Sequence, residues 1–109
     1  MARRVVVTGL GAISPVGNDV ESTWEALKAG KSGIAPIERY DASSHAIQIA
    51  GEAKNWDPFQ YVDKKELRRH DRYQLFTYAA AKQAMQHAGL EITEEMSPKT
   101  GVIVGSAVG

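Results

Sequence analysis

Two uninterrupted β-branched runs stand near the ends of this chain, Val5-Val6-Val7 and Val102-Ile103-Val104. Runs without apolar–polar alternation predict strands buried on both faces, as in a parallel sheet. Between them the apolar positions switch to helical spacing. Val20, Trp24 and Leu27 fall at i, i+4 and i+7 and predict a helix over 20–29. Asn18 is its expected cap, with Glu21 completing a capping box and Gly30 supplying the stop. A stronger helix is expected over 72–88, with Asp71 as cap, Gln74 answering at the third position and Gly89 ending it. Its buried stripe is read as Tyr73, Phe76, Ala80, Ala84 and Ala88, the small alanines suiting close packing on a sheet. Residues 31–46 read as a long surface connection. Ile47, Ile49 and Ala50-Gly51 predict a short strand with alternating faces. Asp57-Pro58 opens a turn or short helix, because proline is favoured at a first helical position, and Pro98 breaks the later loop.

The pattern is that of an α/β domain whose two end strands are neighbours in one parallel sheet. So few strands would leave most of the apolar sheet face uncovered, so the expectation is the beginning of a larger covered sheet. No repeat, low-complexity tract or linker divides the chain.

The first apolar run leads into Thr8-Gly9-Leu10-Gly11 and then Ser14-Pro15. A Gly-x-Gly after a strand invites a dinucleotide-binding reading, which needs a third small residue and an immediate helix facing the pyrophosphate. Here Pro15 biases Ser14 away from the helical region, and no ribose-binding acid follows at the expected distance. The glycines are better read as a strand end needing positive φ or close backbone approach.

Composition removes several function classes. The 109 residues carry a formal net charge of zero, which gives no bulk attraction to nucleic acid or an anionic membrane. No apolar run approaches a bilayer's thickness, and the stretch behind Arg3 and Arg4 is short and glycine-broken, unlike a secretory signal. A cytoplasmic setting is the expectation. Cysteine is absent, so no disulfide, thiolate metal site or thiol nucleophile lies within these residues.

Four places carry candidate chemistry. Lys64-Lys65-Glu66-Leu67-Arg68-Arg69-His70-Asp71-Arg72 holds five basic residues against two acidic ones. If helical, Lys65, Arg68, Arg69 and Arg72 share adjoining positions of one face. Charge alone favours an ordinary solvated face, with recognition of an acidic partner as the sharper alternative. His45, His70 and His87 are widely separated and lack metal-ligand spacing, so no metal site is expected. Ser14 and Ser106 sit in glycine turns without a nucleophile elbow and read as turn residues. The tail Gly105-Ser106-Ala107-Val108-Gly109 has two open readings: a plain strand exit, or small residues admitting an apolar chain beside the backbone.

Six segments carry a family resemblance: RRVVVTGLGAISPVGN, VESTWEALKAGKSGI, IERYDAS, KKELRRHDR, QAMQHAGLEI and GVIVGSAVG. In order and spacing they resemble the N-terminal part of the type II β-ketoacyl-[acyl-carrier-protein] synthases, the condensing enzymes of fatty-acid synthesis. The resemblance covers essentially the whole chain. It implies a thiolase-like α/β fold of α/β/α/β/α layers, of which residues 1–109 would be the N-terminal part of the first half, an incomplete domain.

The implied reaction is a decarboxylative Claisen condensation. An acyl group loaded on a cysteine is attacked by the carbanion left when malonyl-carrier protein loses carbon dioxide, and imidazoles stabilise the enolate and oxyanion. The family's cysteine, histidines and supporting lysine lie beyond residue 109, so no catalytic residue is assigned and the fragment alone is expected to be inactive. The resemblance makes Lys65, Arg68 and Arg69 contacts for an acidic acyl carrier protein. It also makes Val108, where relatives often carry isoleucine, a lining residue of the acyl pocket near a homodimer interface. No cofactor, nucleic acid or membrane is expected. The rival readings are a non-catalytic relative of the chain-length-factor kind, a dinucleotide-binding module and a free-standing interaction domain.

Overall fold

The computed structural model describes residues 2–108, which divide into two compact units, Ala12–Asp57 and a second made of the chain up to Gly11 together with the chain from Pro58 onward.

The first unit holds helix α1 (Val20–Lys28) and two short strands, β1 (Ile34–Pro36) and β2 (Ile49–Gly51). The strands pair antiparallel with Ile34 opposite Gly51, Ala35 opposite Ala50 and Pro36 opposite Ile49. The pairing is continued by Ile37 N–H donating to Gln48 O at 2.9 Å. β2 falls where the Ile47–Gly51 alternation predicts a strand, whereas β1 interrupts the stretch expected to be wholly loop. Its Pro36 lies in an edge position, where a missing N–H is tolerated. The connection between the strands is tied to the segment that follows β2. Glu52 accepts from the backbone N–H groups of Glu38 and Arg39 at 3.0 and 3.3 Å, and Lys54 reaches Glu38 at 3.3 Å.

Two expectations for α1 are corrected. Its cap is Asp19, whose carboxylate accepts from Ser22 N–H at 2.7 Å, and not Asn18. Asn18 instead donates from Nδ2 to the carbonyls of Lys54 and Asn55 at 3.0 and 3.2 Å. Its side chain therefore serves contacts 36 and 37 residues away that local capping patterns do not contain. The expected apolar stripe is also not buried: Trp24 and Leu27 are exposed, and the helix residue that is buried is Ala26. Ahead of the helix, Ser14 and Gly17 close a tight turn around Pro15, with Ser14 N–H donating to Gly17 O at 2.8 Å.

The second unit is organised by helix α3 (Arg72–Ala88). It begins and ends where the sequence places it. Asp71 and Gln74 form the capping box, Gln74 Oε1 accepting from Asp71 N–H at 2.9 Å, and Gly89 stops the helix at φ 61°. Before it come a 3-10 turn (Pro58–Gln60), at the position predicted for a turn or short helix, and the one-turn helix α2 (Lys64–Leu67).

The burial on α3 differs from the expected stripe. Leu75 and Ala79 are its buried residues, whereas Tyr73, Phe76, Ala80, Ala84 and Ala88 are half-buried. The alanines nevertheless have the close neighbour their size implies. The Gly9–Gly11 segment runs along them, and a Cβ on either glycine would collide with helix backbone, at Ala84 O for Gly9 and Ala80 O for Gly11. Neither glycine has positive φ, so close approach is their role.

The parallel sheet is the largest correction. Among the described residues Val5–Val7 and Val102–Val104 form no strand and pair with nothing, and Val5 and Ile103 are 92% and 100% exposed. A buried strand needs a hydrogen-bonding neighbour on its edge and covering layers on its faces, and these two runs do not supply the edge to one another. The runs remain extended chain with their apolar side chains outward.

Candidate functional site

The most chemically distinctive surface is built on α2. Asp63 caps this short helix, its Oδ1 accepting from the N–H groups of both Lys65 and Glu66 at 2.8 Å. Four residues are too few to hold a helix by propensity alone, so this cap and the adjoining 3-10 turn locate the segment. The helix ends on Arg68, and Arg69 N–H donates to Glu66 O at 2.9 Å.

Within this turn and a half of chain, Lys64, Lys65, Arg68 and Arg69 line one open concavity of about 430 Å³. All four are exposed. The three basic residues singled out from sequence, Lys65, Arg68 and Arg69, are therefore brought together, and Lys64 joins them. Such a cradle presents several hydrogen-bond donors and positive charge in one place, and suits carboxylates or phosphates at a protein surface.

Arg72 does not belong to this face. A break at 68–71 separates α2 from α3, and the Arg72 guanidinium lies over the Phe76 ring, 4.8 Å from its centroid. The adjoining-face expectation assumed one continuous helix, which the Asp71 cap interrupts.

Beside the cradle stands one acidic residue, Glu66, on the same short helix. Glu66 Oε1 meets Arg69 Nη1 at 3.4 Å and its Oε2 meets His70 Nε2 at 3.1 Å. The i,i+3 and i,i+4 spacings were the available signal for both contacts. Glu66 and His70 also line a neighbouring concavity of about 540 Å³ with Tyr61, Val62, Leu75 and Tyr78.

The other histidines are similarly occupied. His87 Nδ1 accepts from Leu10 N–H at 3.0 Å, tying the glycine segment to α3, and His45 stands edge-on to the Tyr40 ring at 5.7 Å. Among the described residues no group of three His, Cys, Asp or Glu side chains is placed to hold a metal ion, and no helix is long and apolar enough to cross a membrane. The glycine turn lies against the middle and end of α3, whereas a dinucleotide loop sets its glycines at a helix N-terminus. Ser14 is a turn residue, its hydroxyl 2.9 Å from Thr23 Oγ1. Val108 is 95% exposed on the extended tail, and Gly109 lies outside the described residues.

Comparison with known proteins gives these features a context. Residues 2–109 match the family model for the β-ketoacyl synthase N-terminal domain. The 3-oxoacyl-[acyl-carrier-protein] synthase 2 of Coxiella burnetii is 50% identical over 107 residues, 98% of this chain and 26% of that protein. The protein of the same name from Vibrio harveyi is 49% identical over the same extent. The chain thus spans about a quarter of the length of these curated relatives. Among solved structures, the ishigamide ketosynthase/chain length factor superposes with a TM-score of 0.74 at 37% identity, covering 82% of this chain and 22% of that one. The chain belongs to the β-ketoacyl synthase family and carries part of its N-terminal domain fold.

Proposed function

We propose that this chain is the N-terminal part of a type II 3-oxoacyl-[acyl-carrier-protein] synthase, an acyltransferase that elongates acyl chains in fatty-acid synthesis. The observation that carries this reading is the match of nearly the whole chain to proteins of that name, at up to 50% identity among those compared. The enzyme transfers an acyl group to a cysteine thiolate and lets malonyl-carrier protein lose carbon dioxide. The resulting carbanion then attacks the thioester carbonyl and expels the thiolate. These 109 residues contain no cysteine, so the nucleophile belongs to another part of the protein and this segment alone is inactive.

The segment's own contribution is docking. Lys65, Arg68 and Arg69, with Lys64 beside them, receive the acidic face of the acyl carrier protein that delivers acyl and malonyl groups. Val108 lines the acyl pocket near the interface of a homodimer, and the layered thiolase-like architecture buries the two apolar runs that are exposed here.

Charge reversal tests the docking surface. In the full-length enzyme, Arg68→Glu combined with Arg69→Glu is expected to lower turnover of carrier-bound substrate about tenfold at low salt, and less at high salt, where screening already weakens the attraction. Turnover of a small thioester without the carrier should be unaffected. Unchanged turnover of the carrier-bound substrate rejects the assignment.

The similarity to a ketosynthase/chain length factor favours one second reading, a non-catalytic subunit of the chain-length-factor kind. A cysteine in a small-residue turn further along the full-length chain separates the two, because only the synthase needs one.

A further inference from the structure

One residue of the basic cradle, Arg69, is paired with a carboxylate standing beside it. Glu66 projects from the helix that bears Lys64 and Lys65, and both of its carboxylate oxygens are engaged, one by Arg69 at 3.4 Å and the other by His70 at 3.1 Å. Among the described residues Lys64, Lys65 and Arg68 have no carboxylate within ion-pair distance, so Arg69 differs from its three neighbours in being internally paired. Asp63, the other acid of the segment, is turned to the helix N–H groups of Lys65 and Glu66 as the cap.

We infer that Glu66 determines the strength and selectivity of carrier docking by holding the Arg69 guanidinium as an internal substitute for a partner carboxylate. This rests on the reading of residues 64–69 as the docking surface. A partner approaching the cradle meets three uncommitted cations and one that must first release Glu66. Docking is then an exchange of ion pairs at Arg69 rather than a simple gain. An exposed pair of this kind is weak, so the exchange costs a few-fold in affinity and leaves Arg69 available to a well-placed carboxylate. A partner without an acid opposite Arg69 gains nothing there. The same exchange keeps the complex short-lived, which suits a carrier that must leave after every transfer. His70 holds the second oxygen and keeps the carboxylate facing the arginine.

The test measures equilibrium binding of a holo acyl carrier protein to the full-length enzyme at low salt, with variants in a cycle. Glu66→Gln should tighten binding two- to fivefold in the native background and leave it unchanged in an Arg69→Gln background. Glu66→Asp keeps the charge but withdraws it from Arg69, and should also tighten binding at unaltered net charge. Equal gains from Glu66→Gln in both backgrounds would mean a nonspecific effect of charge and overturn the inference. Unchanged or weaker binding with Glu66→Gln and Glu66→Asp would overturn it as well. A separate Arg68→Glu arm reports on the docking surface. Loss of binding there with no response to the Glu66 variants rejects the role of Glu66 alone, whereas no loss removes the surface itself.

Discussion

Gly9 and Gly11 are chosen by what passes beside them. The backbone of α3 is so close that a methyl group at either position would strike a carbonyl oxygen, and backbone cannot swing aside as a side chain can. Gly11→Ala is therefore expected to destabilise the full-length protein by about 1–3 kcal/mol through forced separation of segment and helix, read as a fall in Tm. An unchanged Tm would mean that the two part freely. Asp19 is a second single-residue determinant. The Ser22 backbone N–H and hydroxyl hold its carboxyl below the ordinary value of 3.8. Because the folded-state value is depressed, the stabilisation is present above pH 3.8 and is lost as pH falls through the lowered value. Asp19→Ala should cost about 1 kcal/mol at neutral pH, and the gap between variant and native protein should narrow in acid unfolding curves below that range.

At the scale of elements, α3 begins and ends as its sequence predicts because the signals for its ends are local. Asp71, Gln74 and Gly89 each act within four residues of a helix end, and all three perform the expected task. Gly89 has a left-handed φ that an L side chain adopts at a cost, so Gly89→Ala should destabilise by about 1 kcal/mol in thermal unfolding, with no change in carrier binding. The same local rules fail by one residue at α1. Asn18 is the expected cap, but its side chain is engaged by the Lys54 and Asn55 carbonyls and the neighbouring Asp19 caps the helix. The docking candidates show a similar division. Lys65, Arg68 and Arg69 were legible as a charge cluster, but the exclusion of Arg72 follows from the break between α2 and α3. The pairing of Glu66 with both Arg69 and His70 depends on rotamers that spacing permits without requiring.

At the scale of the whole molecule, the described residues bury little. Ala26, Ala42, Leu75 and Ala79 are the buried apolar residues, while valines and isoleucines near both ends lie open to solvent. Extended apolar chain with free backbone N–H and C=O groups is a template for pairing with other chains. The isolated 109-residue polypeptide is therefore expected to self-associate as its concentration rises, measured by sedimentation velocity. Val6→Lys together with Ile103→Lys should suppress that association. A compact monomer at all concentrations would contradict this.

The sequence by itself determined helices α1 and α3, their stops, the short strand at Ile49–Gly51, the basic cluster and the family. All of these depend on residue identity within a few positions, or on motifs that survive as strings. Tertiary structure alone decided which side chains are buried, that the two valine-rich runs are unpaired here, which of two neighbouring residues caps α1, and that Arg69 faces Glu66. Those outcomes depend on partners distant in sequence or on side-chain placement in space. A strand reads as buried from its own residues, yet only hydrogen-bonding neighbours and covering layers can bury it.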